Sequence, residues 1–225
     1  MKKFSNSISE RLTARHLKCF EICGNLHDMS ILDIGPSFGW FELMALNSGC
    51  SQVIGMEPKS DNFYAAQIEV PQAQFIEGSA LDIPFQDEYF DIVVMFDVIE
   101  HLPRGSESLA LNEIYRVLKK GGRIALSTPY KHPLSCVFDP AWYFGHRHYS
   151  SKGLHDLTKN VGFTIGGMEV RGGHYEMISS LLMYFFKWLF KSEIPFKSWF
   201  EEKKRGEYLG QKDGFETLYL YGTKK

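Results

Sequence analysis

The residues best placed to do chemistry gather around one short stretch, Ile31-Leu32-Asp33-Ile34-Gly35-Pro36-Ser37-Phe38-Gly39. Asp33 is a carboxylate at the end of an apolar run, and Gly35 and Gly39 lie just beyond it on either side of Ser37. Glycine has no Cβ, so such a turn can bend sharply and let backbone approach a ligand. The helix expected after it, through Leu43, Met44 and Leu46, opens with amide groups that lack intrahelical partners. The negative charge of Asp33 argues against a phosphate in direct contact. It favours a ligand that carries a cation or hydrogen-bond donors. Glu57 ends the next apolar run and precedes Pro58. An acid at that point can accept hydrogen bonds from both hydroxyls of a ribose.

Three histidines are candidate general bases, because imidazole titrates near neutrality: His101, His146 and His148. His101 follows the apolar run Phe90 to Phe96 and the acid Asp97. Its competing role is a helix-start or supporting residue. His132, Asp139, His146 and His148 could suggest metal ligands. Their spacing is irregular and lacks the tight ligand pairs of zinc sites, so no metal is expected. Tyr143, Arg147 and Tyr149 complete an expected acceptor-side loop with His146 and His148, against the alternative of a packed crossover.

The elements that must position these residues follow from the pattern. Residues 8–23 read as a helix. Ile31 to Ile34, Gln52 to Met56, Gln74 to Ile76, Phe90 to Phe96 and Arg123 to Ser127 read as strands. A helix capped by Ser60 or Asp61 and another from Ser106 to Leu118 fall between them. Strand–helix alternation predicts an α/β fold with a parallel, doubly wound sheet. Beyond Pro129 come an aromatic and His-rich loop, a helix at 151–160, a strand at 163–170, an apolar helix at 175–191, a helical or irregular stretch at 194–205 and a last strand from Thr217. One domain over 1–225 is expected. It comprises an N-terminal helix (1–29), a cofactor-binding half (30–128) and an acceptor-side half (129–225) with a helical insertion at 174–208.

Asp33-x-Gly35-x-Ser37-x-Gly39, with an acid before the glycines, resembles motif I of the class I S-adenosylmethionine-dependent methyltransferases. Phe90-Asp-Ile-Val-Val, Asp97-Val-Ile-Glu100-His101-Leu and Leu118-Lys-Lys-Gly-Gly-Arg follow in the family's order, so the resemblance covers roughly residues 30–128. It is similar to the small-molecule branch with quinone-biosynthesis and sugar-linked enzymes. The resemblance implies a seven-stranded, mostly parallel sheet with an antiparallel last strand. It also implies S-adenosyl-L-methionine as cofactor. Asp33, Gly35 and Gly39 would hold the methionine part, Glu57 the ribose, and Pro58 or Met56 the adenine. Ser79, before Ala80, stands where the family often has an aspartate toward the adenine, and Asp82 is the alternative partner. Asp97 would face the methionine end or the acceptor, and Ser37 replaces the middle glycine. Asp97 and Glu100 compete for a plain helix-capping role. A nicotinamide-dependent oxidoreductase is a rival; the missing G-x-G-x-x-G and Asp33 weigh against it. A non-catalytic partner subunit that binds cofactor is the other rival.

A formal net charge of −2 gives no general field for nucleic acid, which is not an expected partner. The basic runs Lys2-Lys3 and Lys203-Lys204-Arg205 read as solvated faces. Four cysteines form no metal or disulfide pattern, and Cys19 and Cys23 read as small buried groups in a reducing, cytoplasmic setting. No signal-peptide pattern follows Lys3. The stretch 175–200 is apolar nearly all round, which suits core or lid packing, a homodimer contact, or an interfacial surface given Lys187, Trp188, Lys191, Lys197 and Trp199. The expected acceptor is small or lipid-like.

Overall fold

The structure, a computed structural model, describes residues 8–58 and 61–225. Its centre is a seven-stranded sheet of order β3-β2-β1-β4-β5-β7-β6. The strands are β1 (Ser30–Ile34), β2 (Gln52–Glu57), β3 (Gln74–Glu77), β4 (Phe90–Phe96), β5 (Leu118–Pro129), β6 (Phe163–Arg171) and β7 (Thr217–Lys224). The first five run parallel, and β7 lies antiparallel between β5 and β6.

Alternation along the parallel strands divides the core. Leu32, Ile34, Ile54, Met56, Val93 and Met95 face one layer. Ile31, Val53, Ile92, Val94 and Phe96 face the other. Strands buried on both faces must be apolar in consecutive positions, which is why these runs are continuous rather than alternating. The first layer is closed by α5 (Glu107–Val117) and α7 (Ser151–Val161). The second is closed by α1 (Ile8–Arg11), α2 (Ala14–Ile22), α3 (Trp40–Asn47) and α4 (Asp61–Glu69). Asp33 shares its face with Ile31 by parity, so its carboxylate enters the second layer and is buried.

The helix expected over 8–23 is broken at Thr13, whose side chain caps α2 in a reciprocal box with His16. Capping of this kind satisfies amides that continued helix would otherwise occupy. The Ser60 cap and the Lys2-Lys3 pair lie outside the described residues, as does the side chain of Asp61. The loop after β5 folds into α6 (Pro133–Phe138) and a 3-10 turn, Pro140–Phe144. Two further helices, α8 (His174–Leu189) and α9 (Lys197–Leu209), precede β7. Core packing of the 175–200 stretch does not hold: only Ser179 of α8 is buried, and Trp188 is 81% exposed. Lys204 is not a solvated charge either; it is buried between Glu176 and Glu201. The four thiols are free, with Cys19 and Cys23 buried as expected. Among the described residues no helix is long and apolar enough to cross a membrane.

Candidate active site at the strand tips

The tips of β1, β2 and β4 meet as the sequence requires. Asp33 is in register with Gly55 on β2 and with Val94 on β4. The Gly35 amide donates to the Met56 carbonyl at 2.9 Å, so the glycine turn is tied to the residue before Glu57. Gly35 and Gly39 have φ of +86° and +81°, and Ser37 adopts +51°. A Cβ on Gly35 would lie 2.4 Å from Val98 Cγ2. The room that Gly35 leaves is therefore used by Val98 from the β4 tip, as well as by the turn itself. Gly39 precedes α3 with no side-chain cap, so the first amides of that helix remain for another acceptor.

Burial raises the carboxyl of Asp33 from its ordinary 3.8 to about 7, and the charge of Glu57 adds to this. Glu42 of α3 is fully buried beside it and is raised for the same reasons, burial first and then Asp33. Gly55 makes space for that carboxylate: a Cβ there would meet Glu42 Oε1 at 2.6 Å. Three acids thus converge behind the glycine turn, a setting that favours a cationic ligand. Sequence reasoning missed Glu42, because it sits in an otherwise apolar helix with no motif around it.

On the β3 side, Ser79 and Asp82 form an exposed turn bridge, with Ser79 Oγ accepting from the Leu81 amide at 3.2 Å. Ala80 is buried beneath them. Pro58 is exposed at the end of β2.

At the β4 tip, Asp97 takes φ +55°, a conformation that costs a non-glycine residue and is concentrated at functional sites. Its Oδ1 accepts from Ser127 Oγ at 3.0 Å and from Arg15 of α2 at 2.5 Å. Neither Asp97 nor Glu100 caps α5, whose N-cap is Ser106. Glu100 is buried in a 3-10 turn, Ile99–His101, and accepts from Thr128 Oγ1 at 3.1 Å. Burial and then the charge of Asp97 raise its carboxyl to about 8.

A cavity of about 330 Å³ opens beside these residues. Its lining includes Arg15, Asp97, Glu100, His101, His146 and His148, with Met177, Met183 and Tyr184 of α8 and with Tyr208 and Glu216. A second hollow of about 370 Å³ lies by Ile92, Ile124 and Thr223 on the central strands, away from the tips that carry the glycine turn. Arg15, Tyr208 and Glu216 were not legible as site residues, since each comes from a separate, motif-free element.

His101 and His146 pack ring on ring at 4.8 Å. Burial and then His146 hold the His101 imidazole below its ordinary value, so it stays neutral near pH 7. Arg147 and Tyr149 do not face the cavity as acceptor-side groups. Arg147 donates to the Ile99, Glu100 and Leu102 carbonyls and pairs with Glu107, and Tyr149 donates to Ile99 O and Glu107. They fasten the turn that carries Glu100 and His101. Tyr143 is exposed and donates to the Val137 carbonyl. His132 caps α6 and packs on Phe215, outside the lining of the cavity.

Residues 32–126 match the family model described as a methyltransferase domain. An uncharacterized methyltransferase of Mycobacterium leprae is 35% identical over 99 residues, 43% of this chain and 36% of that protein. A protein of Mycolicibacterium smegmatis named a probable S-adenosylmethionine-dependent methyltransferase is 30% identical over 115 residues, 51% of this chain and 44% of that one. The matched segment thus spans less than half the length of these curated relatives. An S-adenosylmethionine-dependent methyltransferase from Mesorhizobium loti superposes with a TM-score of 0.66 at 14% identity, over 93% of this chain and 97% of that one. The strand order is that of the class I methyltransferase fold. Over residues 32–126 the chain is therefore similar to S-adenosylmethionine-dependent methyltransferases. The residues present fit that cofactor, since the buried acids behind the turn suit its positive charge and the uncapped start of α3 offers free donors.

Proposed function

We propose that the chain transfers a methyl group from S-adenosylmethionine to a small or lipid-linked acceptor held in the cavity under α8. When bound, the cofactor supplies a methyl group on a positive sulfur, already a strong electrophile. Asp33, Gly35, Ser37 and Gly39 would hold its methionine part, and Glu57 the ribose. Pro58, Ser79, Ala80 and Asp82 would frame the adenine. Asp97 divides this side from the acceptor cavity, and its tie to Arg15 and Ser127 fixes that boundary. Positioning two reactants across such a boundary can lower a barrier by about 7–11 kcal/mol. His101, neutral and on the cavity wall, is the base for an acceptor that must lose a proton. The single observation that carries this reading is the cavity itself, which opens at the β4 tip beside Asp97.

The apolar side chains of α8 that line the cavity are continuous with an exposed face of Phe185, Trp188, Leu189 and Phe190. That face supports a lipid-linked acceptor reached by peripheral contact with a bilayer surface. Calorimetry with S-adenosylhomocysteine and with NAD tests the cofactor assignment. S-adenosylhomocysteine binds, NAD does not, and Glu57→Ala weakens binding at least tenfold, as expected for lost hydrogen bonds to a charged group. NAD binding in place of S-adenosylhomocysteine would overturn the reading.

A further inference from the structure

We propose that Asp139, His146 and His148 form a three-ligand site for a zinc-like divalent cation on the wall of the acceptor cavity, with a fourth position open to an acceptor oxygen. Sequence spacing argued against a metal, but α6 and the 3-10 turn fold the loop so that the three groups converge within 4.8 Å. Asp139 Oδ2 lies 2.9 Å from His148 Nε2 and 3.3 Å from His146 Nδ1. Bonds of about 2.0–2.1 Å at tetrahedral angles give ligand–ligand edges of roughly this length.

The second nitrogen of each ring faces a partner of its own. His148 Nδ1 lies 3.2 Å from the Tyr130 carbonyl and 3.5 Å from Cys136 Sγ; in the tautomer whose Nδ1–H donates to that carbonyl, Nε2 is bare. The other nitrogen of a neutral His148 then turns a lone pair toward a carboxylate. His146 Nε2 faces Glu100 Oε1 at 3.8 Å. That oxygen is buried and has no hydrogen-bond partner among the described residues. In the tautomer that directs Nε2–H at that oxygen, His146 Nδ1 is bare toward Asp139 as well. Asp139 Oδ1 is occupied by the Ala141 amide at 2.9 Å, so Oδ2 alone points inward. Two ring nitrogens and one carboxylate oxygen converge, and His148 and Asp139 are each held by an outer partner in the way metal ligands are oriented. A single cation satisfies all three.

The open position faces the cavity that the proposed function assigns to the acceptor, and the role given to the ion rests on that reading. An acceptor hydroxyl bound there would lose its proton more readily to His101, the base on the same cavity wall. Its oxygen then forms the C–O bond as the sulfonium C–S bond breaks, and neutral S-adenosylhomocysteine leaves. His146 and His148, candidate bases by sequence, are ligands in this scheme.

Chelator-stripped full chain should take up one equivalent of Co²⁺ or Zn²⁺. The Co²⁺ form should show the visible bands of a four-coordinate site, and acetohydroxamate should shift them. His146→Gln and Asp139→Asn, both checked by circular dichroism, should each lose at least a hundredfold in Co²⁺ affinity. S-adenosylhomocysteine binding should survive in both. Absence of uptake by folded wild-type chain, or uptake unchanged in both variants, overturns the site. A doubly protonated His148 ring by ¹⁵N NMR in that stripped chain, with Co²⁺ refused, has the same force. Unshifted bands with acetohydroxamate overturn the open position. Loss of S-adenosylhomocysteine binding with normal Co²⁺ uptake would strike the methyltransferase reading and leave the metal site standing.

Discussion

The cofactor half and the acceptor half of this molecule position their functional groups by different means. Across β1, β2 and β4 the groups sit on backbone whose place is fixed by parallel register, and the turn 35–39 adds three residues in the left-handed region. In residues 130–216 the groups are held by other side chains: Arg147 on three carbonyls, Asp139 between two histidines, and Glu207 accepting from the amides that open α8. A backbone-built site depends on local geometry and a few irreplaceable positions. A side-chain-built site depends on long-range partners, so its residues can be spread over many elements.

Gly35→Ala tests the backbone side of that contrast and has the largest expected effect. The substitution forces a Cβ into the left-handed region and into Val98. Each contribution costs on the order of 1–2 kcal/mol or more, so urea denaturation should show a loss of about 2–4 kcal/mol. Adding Val98→Ala should restore the packing part alone. Full stability in Gly35→Ala would mean that the turn is not strained as described.

The same contrast explains what could be read from the chain beforehand. Asp33, Gly35, Gly39 and Glu57 are legible because strand tips come at predictable distances along an alternating chain. The parallel sheet was legible for the same reason, whereas its antiparallel last strand followed only from the family resemblance. Arg15, Glu42, Tyr208 and Glu216 were not, because nothing local marks a side chain whose partner is far away in sequence. Arg147 was read as facing an acceptor because its neighbours are aromatic and basic. Its actual targets, the carbonyls of 99, 100 and 102, leave no trace in composition.

Glu42→Gln probes the electrostatics behind the glycine turn, with a smaller effect. The Asp33 carboxyl holds its proton more tightly in the folded chain, up to about 7 against an ordinary 3.8, and Glu42 is shifted the same way. The pair therefore contributes stability that is complete below pH about 4 and is lost as pH rises through about 7. Each pKa unit is worth about 1.4 kcal/mol, or roughly 2–4 °C in a chain of this size. Glu42→Gln removes one buried charge, so its melting temperature should rise most above pH 7 and its fall between pH 4 and 7 should flatten. Equal slopes for the two proteins would show that the pair carries no shared proton.

Trp188→Glu with Phe190→Glu should change the fold least and function most selectively. Trp188 stands one turn beyond the cavity-lining Tyr184 on α8 and Phe190 at the helix's C-terminal cap, 81% and 58% exposed. Surface substitutions away from packed contacts stay within about 0.5 kcal/mol, so denaturation curves should superpose. Flotation with anionic vesicles should separate the proteins, since an interfacial helix binds through buried apolar area and through attraction of its basic groups to anionic lipid. Lys187 and Lys191 flank the aromatic patch and supply that attraction. Wild-type chain should float and the double variant should not, with S-adenosylhomocysteine affinity equal in both. If neither floats, the exposed aromatics have a partner other than lipid, and α8 acts on the acceptor only through the side chains it turns into the cavity.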